Sequence, residues 1–159
     1  MANNYMLFSE ILPAMTEEEK KWTNRVLKCN QDGDQVEATR TVLAEAGIGV
    51  DADILDAWPD FQWELDPSRP ELWLYAEECG NVCNVCEFVR AFLARFRPTD
   101  CWHLTWATTC SKPRVGEFGG GGAFVTASRV KFYNPEDSIA RERKKFERTA
   151  KMAGSVARS

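Results

Sequence analysis

His103 is the only histidine in this chain of 159 residues, so acid–base chemistry that needs two imidazoles is excluded at once. A serine or thiol nucleophile would have to use His103 as its base, with Cys101 the nearest thiol. On one strand those two side chains point in parallel and do not form a nucleophile–base pair by themselves. Cysteine is the other reactive type, at Cys29, Cys79, Cys83, Cys86, Cys101 and Cys110. Zinc asks for a tetrahedron of nitrogen or sulfur ligands, usually from paired Cys-x-x-Cys knuckles, and no such pair is present. Gly119 to Gly122, with Lys112 and Arg114 shortly before, could offer backbone N–H groups and cations to an anionic ligand. No Gly-Lys-Ser/Thr follows, however, and the next residues read as strand where a phosphate loop would open a helix. A flexible hairpin connection is the simpler expectation for the glycine run. No catalytic residue, no metal site and no cofactor is therefore expected.

Three short motifs resemble those of known families. Cys79-x3-Cys83-x2-Cys86 has the spacing of the radical-SAM signature, in which three thiolates hold a four-iron cluster. Those enzymes need a large barrel, and Cys83 and Cys86 fall at regular positions of an amphipathic helix, which does not wrap a cluster. Cys86 as a small core residue is the plainer reading. His103-Leu104-Thr105 is similar to one half of the paired His-x-Thr motif of two-histidine phosphoesterases, and the second half is missing. Gly121-Gly122-Ala123-Phe124-Val125 resembles part of the RNP1 box of RNA-recognition motifs. Its leading basic place is Gly120 here, and two of its aromatic places are Gly122 and Ala127.

Positioning elements can be read around these residues. Tyr5 to Leu12 is an apolar run of strand length closed by Pro13. Thr16 to Glu19 fits a capping box, and a helix should run to about Cys29 with Trp22, Val26 and Leu27 on its inner stripe. Asn30 to Asp34 breaks it. Gln35 to Ala46 suits a second helix with Gly47 as its C-cap. Phe61 to Asp66 and Glu71 to Glu77 alternate with period two around a Pro-bearing turn, which predicts a β-hairpin. Asn81 opens an amphipathic helix that Pro98 ends. Asp100 to Cys110 alternates again as a half-buried strand. Ser111 to Gly122 reads as loop, and Ala123 to Ala127 as a strand continuing toward Phe132. Pro135 precedes a last helix. The result is an α+β fold built on a ferredoxin-like βαββαβ unit, an antiparallel sheet with helices on one face, plus an extra strand and a C-terminal helix. Residues 1–134 form one domain and 135–159 a basic helix or tail.

Charge is uneven. Residues 1–128 carry 11 Lys/Arg and 20 Asp/Glu, and residues 129–159 carry 9 and 4, so −9 faces +5 within a formal total of −4. No apolar run is long enough to span a bilayer, and the first residues lack the basic and apolar regions of an export signal. A cytoplasmic location with reduced thiols is expected.

Strand parity supplies the candidate site. If Phe61, Trp63, Leu65, Leu72, Leu74 and Ala76 face the helices, then Gln62, Glu64, Trp73, Tyr75 and Glu77 face away. Trp102, Leu104 and Trp106 likewise leave Cys101, His103 and Thr105 on that outer face. Exposed Trp and Tyr are typical interface anchors. The first expectation is thus a protein-binding module of adaptor or inhibitor type, using Glu64, Trp73, Tyr75, Glu77, His103 and Thr105 with Lys112 and Arg114 of the glycine-rich loop. The second is an enzyme or small-ligand binder whose pocket gathers Glu64, Glu77, His103 and Thr105, closed over an anion by Lys112 and Arg114. The third is RNA or DNA binding through the basic C-terminal helix.

Overall fold

The computed structural model describes residues 4–30, 36–49, 55, 57–112 and 114–156, with side chains described as far as Arg148. Most of the Asn30 to Asp34 breaker lies outside the described residues, as do Asp51, Asp53 and Asp56. Among the described residues the fold is α+β, a six-stranded antiparallel sheet with four helices. In order these are β1 (Asn4–Leu12), α1 (Glu17–Leu27), α2 (Val36–Glu45), β2 (Gln62–Leu65), β3 (Leu72–Ala76), α3 (Val82–Phe96), β4 (Cys101–Cys110), β5 (Gly119–Thr126), β6 (Arg129–Tyr133) and α4 (Pro135–Val156). Among the described residues no helix is long and apolar enough to cross a membrane.

Local chemistry accounts for the helix ends. Thr16 Oγ1 accepts from the Glu19 N–H at 3.3 Å, and the Thr16 N–H donates to Glu19 Oε2 at 2.6 Å, a complete capping box. α2 ends at Gly47 with φ +74°, where the Gly47 N–H donates to Ala44 O and the Ile48 N–H to Leu43 O. That pair of bonds needs a left-handed residue, which glycine adopts without a Cβ clash. Asn81 caps α3, its Oδ1 accepting from the N–H groups of Cys83 and Asn84.

The sheet order is β2-β3-β1-β4-β5-β6. β1 pairs through Asn4 to Leu7 with β4, and through Phe8 to Leu12 with β3. As a whole this order differs from the expected ferredoxin-like unit with one extra strand, because β5 pairs along β4 from Cys101 to Thr108 and β6 extends the same edge. Two local expectations are corrected. The glycine run is not a flexible loop: Gly119 to Gly122 are strand, opposite Thr108 to Thr105. A Cβ on Gly121 would overlap the Trp106 indole, and one on Gly120 the Trp106 carbonyl oxygen, so glycine is required by close approach. Ala123 to Phe132 is not one strand, since Thr126 Oγ1 bonds both the N–H and the carbonyl of Arg129 and turns the chain into β6.

One core lies between the sheet and α1 to α3. Phe8, Leu12, Leu72, Leu74, Ala76, Trp102, Leu104, Ala123 and Val125 are its strand side chains. Trp22 of α1 meets Phe88, Phe92 and Phe96 of α3 at ring separations of 5.6 to 6.0 Å. Arg97, after α3, donates to both oxygens of the buried Glu19 at 2.8 and 3.0 Å and to the carbonyls of Pro13 and Ala14. Burial opposes ionisation of Glu19. The bonds from Arg97 and the Thr16 N–H outweigh it, and the carboxyl stays below its usual range. α4 takes little part in the core: every side chain described from Pro135 to Arg148 is exposed.

Candidate binding surfaces

The hairpin of β2 and β3 builds the first surface from its alternation. Leu72 and Leu74 are fully enclosed and Ala76 nearly so, while Trp73 and Tyr75 between them stay half-exposed on the opposite face. Their rings stack at 4.0 Å with planes 20° apart, and Trp73 Nε1 donates to Ser9 Oγ of β1 at 2.9 Å. The cross-strand register puts Ser9 and Gln62 beside Tyr75, and Ile11 and Glu64 beside Trp73. Ile11 is 49% exposed. Glu77, just past the strand, gives its N–H to Gln62 Oε1. Side chains directly opposite across a ladder share one side of the sheet, so these groups form one surface.

β4, β5 and β6 continue that outer face. His103, Phe124 and Lys131 lie in one row across the three strands, and Thr105, Gly122 and Tyr133 in the next. His103 Nε2 is 3.9 Å from Glu10 Oε1. Lys131 Nζ sits 5.0 Å from the centre of the Tyr133 ring, within reach of a cation–π contact. Among the described residues no helix covers either half of the face, because the side chains on it are exposed or half-exposed.

The eight residues singled out from the sequence are thus not one cluster. Glu64, Trp73, Tyr75 and Glu77 are together. His103 and Thr105 stand two strand spacings away, about 10 Å, across β1. Lys112 and Arg114 follow the far end of β4, which advances about 24 Å from His103 to Cys110. Arg114 faces Glu117, with Nη1 to Oε1 at 3.7 Å. Glu64 and Glu77 are thus not brought together with His103 and Thr105, nor Lys112 and Arg114 with either group, and the glycines that a loop would have offered to an anion are paired strand.

The molecule does hold a cleft of about 590 Å³, built where the starts of β1 and α3 meet the end of β4 and the loop after it. Tyr5, Asp60, Cys79, Asn81, Thr109 and Glu117 are among its walls, and none of the eight predicted residues lines it. Glu117 Oε2 is buried without a hydrogen-bond partner among the described residues. No sequence signal could have found this cleft, since four segments far apart in the chain create it. Ser9 and Ile11 were legible, by contrast, as alternate positions of the first strand.

The cysteines are free. Cys79 and Cys83 are exposed, whereas burial above all, with the neighbouring Cys83 and Glu87, pushes Cys86 up to about 12. A metal ligand needs the thiolate that this environment disfavours. Among the described residues no three His, Cys, Asp or Glu side chains converge to hold an ion. No family model matches the chain, and no curated protein or solved structure is significantly similar to it.

Proposed function

We propose that this chain is a protein-binding module of adaptor or inhibitor type that engages its partner through the outer face of β2, β3 and β1. The observation that carries the reading is the stacked pair of Trp73 and Tyr75, half-exposed and flanked by Ile11, Glu64 and Glu77. Rigid aromatic anchors ringed by polar groups concentrate binding energy, and truncating such an anchor removes about 2 kcal/mol or more. The free thiols support a reducing, cytoplasmic setting. We also read β1 to β4, neighbours in the order β2-β3-β1-β4, as a ferredoxin-like unit extended at one edge by β5 and β6; the antiparallel pairings support this. Residues 135–159 are then an appended basic segment, a reading supported by the exposure of the side chains described in its helix, α4.

The test is quantitative affinity capture from the native host cell, comparing the wild-type chain with Trp73→Ala/Tyr75→Ala. A specific partner should be lost from the double variant while its thermal unfolding stays near wild type. Equal recovery by both proteins would reject the site.

A further inference from the structure

We propose that the groove between β6 and the first turns of α4 binds single-stranded nucleic acid, with phosphates held by Lys131, Arg141 and Lys144 and a base stacked on Tyr133. The groove encloses about 510 Å³, and those four residues lie on its two walls together with Phe132 and a single acid, Asp137. Tyr133 is 50% and Phe132 47% exposed. Aromatic rings beside a cationic track are what a single strand requires, because every base has a π-face and every linkage a phosphate.

The cations are available for such a ligand. Lys131, Arg141 and Lys144 form no ion pair with a carboxylate among the described residues. Arg141 is oriented by its own helix, donating to Asp137 O at 3.2 Å and Ser138 Oγ at 3.4 Å. Arg141, Lys144 and Arg148 recur at helical spacing on one face of α4, so the track continues beyond the groove. The long-range field agrees: residues 129–159 carry +5 and residues 1–128 carry −9. A polyanion is therefore drawn to this edge and repelled from the rest of the sheet.

Other polyanion partners fit less well. A lipid surface asks for a broad apolar helix face, and on α4 the large apolar side chains described are Ile139 and Phe146 alone, two turns apart on an otherwise charged helix. An acidic peptide would use the cations and leave Tyr133 idle.

The experiment is fluorescence anisotropy of a labelled oligothymidylate with the full chain over a range of salt. Binding should weaken with salt, and replacing Lys131, Arg141 and Lys144 together by Gln should reduce the log–log salt slope by about 2. Tyr133→Ala should weaken binding about tenfold while Tyr133→Phe retains it. All four positions are exposed, so the variants should fold, which thermal unfolding checks. Absence of binding at low salt overturns the proposal. So does an unchanged affinity in Tyr133→Ala, or preference for duplex, polyglutamate or anionic vesicles over the single strand.

Discussion

The outer face of the sheet has two halves that meet at β1 and differ in sign. Toward β2, the acids Glu64 and Glu77 border a pair of rings that stack on each other. Toward β6, Phe124 and Tyr133 stand apart, interleaved with Arg129 and Lys131. Rings already stacked present a rigid apolar edge to a shaped protein surface. Rings that do not stack on each other can each take a planar group, at Tyr133 on the face away from Lys131. The lesson is that one continuous strand parity can present two chemically distinct surfaces, because charge is set strand by strand while the pleat is common to all.

The largest effect should come from removing the space that lets β5 carry the basic half. A side chain at Gly121 strikes the Trp106 indole, so Gly121→Val should cost about 3 kcal/mol through forced displacement of a packed ring. Thermal unfolding measures the loss, and oligothymidylate binding should fall with it. If Gly121→Val unfolds at the wild-type temperature, the glycine run is not there to accommodate Trp106. Next in size is the crossed comparison of the two surfaces: Trp73→Ala/Tyr75→Ala should abolish partner capture and leave oligothymidylate affinity within about twofold, since the altered rings lie more than a Debye length from Lys131. Loss of both activities together would show that the halves act as one site.

The acidic half was legible from sequence, whereas of the basic half only His103 and Thr105 of β4 were, for physical reasons. In β2 and β3 each inward residue is apolar and each outward one polar or amphipathic, so period two declares the face. Phe124 hides behind four glycines, whose composition says loop and whose actual reason, the Trp106 ring, comes from a strand paired only in the folded state. The turn at Thr126 to Arg129 uses side-chain hydroxyl bonds and carries no Gly, Pro or Asn, so β6 reads as a continuation of β5. The β6–α4 groove and the cleft at the start of α3 depend on how separate elements approach one another, which local pattern does not encode. The starts of α1 and α3 and the end of α2 were legible, because Thr16, Asn81 and Gly47 act on backbone groups within a turn of themselves.

The smallest effect sharpens the comparison most. β2 and β6 are five strand spacings apart, about 24 Å, roughly three Debye lengths at physiological salt. Reversing both acids of the first surface, Glu64→Lys/Glu77→Lys, should therefore change oligothymidylate affinity by less than about twofold, even though the net charge rises by four. Capture of the protein partner should fall severalfold in the same variant, since like charges facing a complementary surface slow encounter and misalign docking. The two measurements separate local from global electrostatics. If the reversal strengthened single-strand binding tenfold, the strand would have to run along the whole sheet, and the division at β1 would be one of composition and not of ligand.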